Sequence, residues 1–285
     1  MSATPETVDI DHLRGWIGRQ DVASEVLSPE LVKRFRATLE LAGSIEAGEP
    51  APELIHLCVA PPAVPMSELG PDGHPARGGF LPPVPLPRRM WAGGQFEMRG
   101  ALTIGEVVTR RSTIEDVVLK EGRTGRLCFV TVRHEISSGS DVALVERQDI
   151  VYREAESATA VKAQPAAAQA GEHVTTVMPT APLLFRYSAL TFNGHRIHYD
   201  KPYATGVEMY PGLVVHGPMQ ATMLYHFAAK LRGHAPDTFA FRSLSTLFDD
   251  SEFTLNATEE DGALNLWTAR PGGPVAMSAT ASFES

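Results

Sequence analysis

Apolar residues recur at helical spacing in two stretches of this chain, and most of its other apolar segments have strand character. In the first stretch, Leu31, Phe35, Leu39 and Ala42 form a helical stripe. Ser28-Pro29-Glu30 before it has the composition of a helix start, with Ser as N-cap, Pro at the first helical position and Glu in the first turn. Gly43 lies just beyond its end. In the second stretch, Met219, Met223, Phe227 and Leu231 share one face of a helix expected over 217–231, with Thr222 and His226 alongside. Between the helices, segments rich in Val, Ile and Thr at 102–111, 112–120, 126–136 and 142–153 are parted by turn residues such as Gly122, Gly125 and Gly139. They predict an antiparallel meander. Four more strands are expected at 238–247, 251–258, 263–269 and 274–284. Helix followed by antiparallel strands, twice over, predicts an α+β chain of two like units.

The punctuation refines this picture. Residues 60–95 are dense in Pro and Gly, which excludes a regular helix or a central strand there. At about 35 residues the segment is too long for an idle loop and reads as functional or as a lid-like cover. Residues 154–175 are an Ala/Gln/Pro-rich linker, which divides the chain into units 1–153 and 176–285. Residues 1–10 read as loosely attached. In the second unit a strand is expected to lead into Phe185, and an irregular segment to run from 188 to 206.

Composition narrows the function. With 285 residues, 43% apolar and 21% charged, the chain can bury a full core. A formal net charge of −9 argues against nucleic acid as a partner. Cys58 and Cys128 form neither a zinc spacing nor a disulfide framework. No run approaches the roughly 18 apolar residues of a membrane span, and the N-terminal residues show no apolar leader, so a cytoplasmic enzyme is expected.

The chemistry concentrates between 186 and 217. His198 is the candidate acid/base, because imidazole gives and takes protons near neutral pH. A buried structural histidine is the alternative. Asn193, five residues earlier, can hold a water by donating and accepting, or can form a turn. His195 is three residues from His198, but no Cys and no carboxylate pair completes a metal site, so neither metal nor other cofactor is expected. His195 then reads as a neighbour that braces the loop. Asp200, before Lys201-Pro202, reads as a helix N-cap. His216-Gly217-Pro218 opens the second helix, where the Gly217 N–H would face a carbonyl oxygen that gains negative charge. Arg88 and Arg89, with Trp91 beyond them, suit a carboxylate or phosphate or form a solvated pair, and Arg186 beside Tyr187 suits the same ligands or braces the loop. No nucleotide-binding glycine pattern and no nucleophile elbow is present.

At Arg186, Tyr187, Ile197, His198 and Asp200, and again at Gly212, His216 and Gly217, the chain resembles the MaoC-type hydratase/dehydratase family. The first half resembles the FAS1-like dehydratase module, through Trp16-Ile17-Gly18-Arg19, the helix at 28–41 and the run from Leu69-Gly70-Pro71-Asp72-Gly73-His74-Pro75 to Gly94. That run is similar to the mesaconyl-C4-CoA and itaconyl-CoA hydratase branch. The resemblance implies a double hotdog, two fused units each with a long helix wrapped by an antiparallel sheet. It implies water addition to an α,β-unsaturated acyl-CoA, with His198 as acid/base and the Gly217 N–H on the carbonyl. Trp91, Arg186, Tyr187, His195 and His216 would lie around the substrate, and Arg88 or Arg89 would pair a free carboxylate. One active site per chain and a possible homodimer follow from it. Where the family pattern has an Asp this chain has Asn193, and where it has Asn-Pro it has His195-Arg196. The alternatives are a 3-hydroxyacyl-CoA or acyl-carrier-protein dehydratase, and a thioester-binding protein without turnover.

Overall fold

The computed structural model describes residues 8–122, 125–154 and 165–284. Among the described residues, five α-helices and ten strands follow one another along the chain. Helix α1 (Ile10–Arg14) and strand β1 (Gln20–Val26) precede α2 (Pro29–Leu39). Strands β2 (Arg88–Met98), β3 (Val107–Gly122), β4 (Gly125–Ser138) and β5 (Asp141–Arg153) complete the first half. The second half runs β6 (His173–Val177), α3 (Ala181–Leu190), α4 (Lys201–Gly206), α5 (Gly217–Arg232), β7 (Thr238–Ser243), β8 (Phe253–Glu260), β9 (Ala263–Ala269) and β10 (Val275–Ser282). All ten strands join one antiparallel sheet in the order β1-β3-β4-β5-β2-β7-β10-β9-β8-β6. Each half contributes five strands in matching order, and the β2–β7 pair is the seam.

That seam overturns one expectation. Residues from Arg88 onward belong to a central strand, paired to β5 on one side and β7 on the other. The prolines that would forbid a strand end at Pro87. The two glycines that looked like a loop are required by the sheet: a Cβ on Gly94 would collide with the Arg147 carbonyl, and one on Gly93 would lie 2.7 Å from the Phe241 carbonyl oxygen. The segments 102–111 and 112–120 also merge, into β3. A bulge between Ile114 and Asp116 shifts the alternation by one residue, which reads in the sequence as a strand end.

Helix starts explain the helices. Ser28 Oγ accepts from the Leu31 N–H at the start of α2, as its N-cap. Thr180 Oγ1 accepts from the Leu183 N–H with Pro182 in the first turn, so Phe185 sits in α3 and not in a strand. α1 and β1 add elements near the N-terminus that the sequence pattern did not predict, and residues 1–7 lie outside the described residues.

Among the described residues the longest helix, α5, lies in the second half. α5 is buried against β7 to β10, with Met219, Leu224, Tyr225 and Ala228 fully enclosed. At the matching position of the first half the described residues form a single 3₁₀ turn, Ile55–Cys58. Pro50, Pro52, Pro61 and Pro62 bracket it, and a longer helix there would lose hydrogen bonds at each. A strap replaces the missing packing: Val84 and Leu86, with Leu13 of α1, cover Cys128, Val130 and Val132 of β4. This agrees with the reading of 60–95 as a covering element. The main core is continuous across the seam, joining Leu27, Phe35 and Phe96 to Leu184, Tyr225 and Phe239. Of the linker expected at 154–175, residues 155–164 lie outside the described residues. Glu154 is bonded to Arg126 of the first half, and the later residues are tied to the second half, where the Ala168 N–H donates to Gly273 O and the Trp267 indole N–H to Gln169 O.

Candidate active site

His198 ends a 3₁₀ turn, Arg196–His198, and is 7% exposed. Two bonds fix it to the strand-like segment before α5. The Val214 N–H donates to Ile197 O at 2.9 Å, and His198 Nδ1 lies 2.8 Å from Val214 O. A backbone carbonyl only accepts, so Nδ1 carries the hydrogen and Nε2 is left as a base. Burial pushes His198 down to about 4, partly opposed by the Val214 carbonyl, so the ring is neutral at pH 7.

His198 is one of four imidazoles in file. Its ring stacks on His216 at 3.7 Å between centroids, with 17° between planes. On the other side it meets His195 edge-on at 5.4 Å, and His195 lies 4.1 Å from His74. Ser188 Oγ closes one end, 2.8 Å from His216 Nε2. Asp72 closes the other, its Oδ2 3.0 Å from His74 Nδ1. Burial, then the neighbouring rings His74 and His198, drive His195 down to about 2. Burial also depresses His216, and His74 despite its carboxylate partner. For Asp72, burial alone would raise the pKa, but the bond and charge of His74 prevail and hold the carboxyl below its usual range.

Asp72 and His74 come from the first half, on a hairpin closed by the Leu69–Pro75 bridge. The hairpin is clasped to the loop that holds His198. The Arg196 N–H donates to Asp72 O at 2.9 Å, and Arg196 Nη1 donates to Pro71 O at 3.1 Å. Gly73 has φ +87°, and a Cβ there would collide with the Gly194 carbonyl. Arg196 also grips Asp200 Oδ2 through Nε and Nη2, while Asp200 Oδ1 accepts from the Tyr203 N–H as the N-cap of α4. Most of the segment expected to be irregular, 188–206, is thus built from helix ends and capped turns.

The other predicted residues divide. Gly217 is the first residue of α5, so its N–H is among the donors the helix leaves unpaired. The Trp91 ring packs against it, 3.1 Å from the position of a Cβ, and stacks on Phe241 at 4.3 Å. Tyr187 is buried against His216, with centroids 5.0 Å apart, whereas Arg186 is exposed. Asn193 Oδ1 accepts from the His195 N–H at 3.0 Å, so its carbonyl forms the turn and only its amide N–H groups remain for a water. Arg88 and Arg89, neighbours in a strand, face opposite ways. Arg88 is tied to Glu208, through its carbonyl at 3.2 Å and its carboxylate at 3.9 Å, and lies over the Tyr210 ring. Arg89 hydrogen-bonds the Tyr152 hydroxyl and acts electrostatically on His74 and His195.

Donor atoms of Asp72, His74 and His195 lie within 4.8 Å of one another, close enough to consider a cation. The Asp72–His74 bond already uses one donor of each, and the positive charges of Arg77 and Arg89 act on the same imidazole, which opposes a metal. Asp72 and His74 are the site residues the sequence reading passed over. Their signal is the Gly70-Pro71-Asp72-Gly73-His74-Pro75 turn, a polar turn too rigid for an idle loop. A cavity of about 360 Å³ lies elsewhere, lined by Leu54, His56, Met98, Leu102, Leu144 and Pro236, and includes none of the file.

Residues 54–249 match the model of a family described as hydroxyacyl-thioester dehydratase type 2. The chain is 42% identical over 267 residues to the mesaconyl-C(4)-CoA hydratase of Chloroflexus aurantiacus, covering 93% of this chain and 95% of that one. Among solved structures, a MaoC-like dehydratase from Phytophthora capsici superposes with a TM-score of 0.70 at 11% identity, covering 98% of both chains. A Mycobacterium tuberculosis protein described as a double hotdog gives 0.57 at 10% identity, covering 93% of this chain and 95% of that one. The fold is a double hotdog.

Proposed function

Because the chain belongs to the hydroxyacyl-thioester dehydratase type 2 family, we propose that it is a hydro-lyase adding water reversibly to a conjugated acyl-CoA, a C5 dicarboxylic one such as mesaconyl-C4-CoA or itaconyl-CoA. The observation that carries this reading is the 42% identity to a mesaconyl-C(4)-CoA hydratase over almost the whole of both chains. The site supports it through a neutral, rigidly held imidazole with a free Nε2, beside a helix N-terminus.

The thioester carbonyl oxygen takes the Gly217 N–H. Donors of this kind contribute about 3 kcal/mol as the oxygen gains enolate charge. Water attacks the β carbon while His198 Nε2 takes its proton; the imidazolium then returns a proton to the α carbon. Asn193 steadies the water through its amide. Arg89 pairs the substrate's free carboxylate, because the charge of Arg88 is already met by Glu208 whereas the partner of Arg89 is the neutral Tyr152 hydroxyl and its charge acts on His74 and His195. His195, His216, Tyr187 and Trp91 wall the reacting end, and exposed Arg186 is left for the CoA portion. The reaction needs water and no cofactor. No helix among the described residues is long and apolar enough to cross a membrane. A cytoplasmic location and a homodimer complete the reading.

Ultraviolet loss of the conjugated thioester on mixing with mesaconyl-C4-CoA, itaconyl-CoA and crotonyl-CoA tests the proposal. Rapid loss with a dicarboxylic ester, abolished in His198→Ala, supports it. Loss with crotonyl-CoA alone moves the activity to fatty-acyl dehydration. Tight binding without loss of any ester leaves a thioester-binding protein.

A further inference from the structure

A hydration confined to this site makes a buried imidazolium, and burial disfavours that charge. His198 lacks a carboxylate of its own: its Nδ1–H is spent on the neutral Val214 carbonyl. The groups that face it are His195 on its loop, His216 at the start of α5 and His74 on the hairpin. Behind these stand Ser188 and Tyr187 on α3, Arg89 on β2 and Arg77 on the strap. In this set the cations are Arg77 and Arg89, and the carboxylate is Asp72.

The geometry points to Asp72 and His74 as positioning residues for His198, the first half lending a carboxylate–imidazole pair to the second half's catalytic loop. This rests on the hydratase reading above. Two physical links run from the pair to His198. The first is electrostatic: Asp72 Oδ2 holds His74 Nδ1 at 3.0 Å, and His74 lies 4.1 Å from His195, which abuts His198. The carboxylate offsets the charge that a protonated His74 sets against a proton on His198, and it acts on His195 in the sense that favours a proton. The second is mechanical: Asp72 O accepts the Arg196 N–H, the first residue of the 3₁₀ turn that presents His198.

The bonds balance without any further reactant. One O–H bond of water breaks and its proton goes to His198 Nε2. The oxygen bonds the β carbon, and the π pair moves toward the thioester oxygen. The imidazolium then gives its proton to the α carbon and is neutral again. Asp72 and His74 exchange no net proton; they stabilise the charged intermediate.

Asp72→Asn removes the charge at nearly constant size: its one amide oxygen can take the place of Oδ2 toward the His74 ring, the bond from the His74 N–H to Oδ1 is given up, and the backbone clasp to Arg196 is untouched. Steady-state hydration with the best thioester, measured alongside wild type and His198→Ala, is expected to show kcat reduced about 10- to 100-fold, with KM within about threefold. In pH-jump assays the acid limb of kcat/KM should move to lower pH, since removing the anion makes the imidazole a weaker base. Asp72→Glu should recover part of the rate. Wild-type kcat and an unmoved acid limb in Asp72→Asn, with activity abolished in His198→Ala, would overturn this inference alone. No turnover by the wild-type protein would overturn the hydratase reading and this inference with it.

Discussion

A single tautomer decides what His198 can do. With Nδ1–H pinned to Val214 O, the neutral ring offers Nε2 as an acceptor and carries no proton there to donate. Its pKa near 4 then predicts that kcat/KM holds from pH 8 down to about 5, well below the limb near 6.5 of an ordinary histidine. Rates taken within seconds of a pH jump check this; a limb near 6.5 would contradict it. The same depression makes the fold acid-sensitive. The folded-state pKa values of His195, His198 and His216 all lie below the unfolded value, so the folded chain binds fewer protons. Their contribution is fully present above pH 6.5 and is lost as pH falls toward 4, so urea midpoints should drop between pH 7.5 and 5. In the sequence, His198 and Gly217 are legible because a polar loop and a Gly-Pro helix start are local signals. That Asn193 uses its carbonyl on the His195 N–H, and that Arg88 is held by Glu208, is not legible, since each depends on a neighbour placed by the fold.

Among the elements, the 69–75 hairpin carries the most consequence. Gly73→Ala would need a positive φ in a non-glycine residue and would press a Cβ into the Gly194 carbonyl. Both effects oppose the docked state, so stability should fall by more than about 1 kcal/mol. Hydration should fall further than the melting temperature suggests, because the displaced loop holds His198. Retained activity in that variant would show that the hairpin docks without aligning the site. The main helices and most later strands are legible from periodicity, α5 most plainly. β2 is not, because its glycines carry a loop signature and are demanded only by the close approach of Arg147 on β5 and of Phe241 across the seam. α3 is missed for the opposite reason: apolar Leu183, Leu184 and Phe185 look like a strand end until Thr180 and Pro182 are read as a helix start.

For the whole molecule, one sheet and one continuous core run through both halves. The sequence division at 154–175 therefore marks a repeat and not a pair of independent folding units. Calorimetry should show a single unfolding transition, with van't Hoff and calorimetric enthalpies in agreement; two resolved transitions would contradict the shared core. The hairpin clasp extends this unity to the site. The second half holds the long helix α5 and the loop with His198, and the first holds Asp72 and the turn that seats it. A chimaera joining the first half of one relative to the second half of another inherits a working site only when the lengths and glycines of 69–75 and 193–200 come from the same parent.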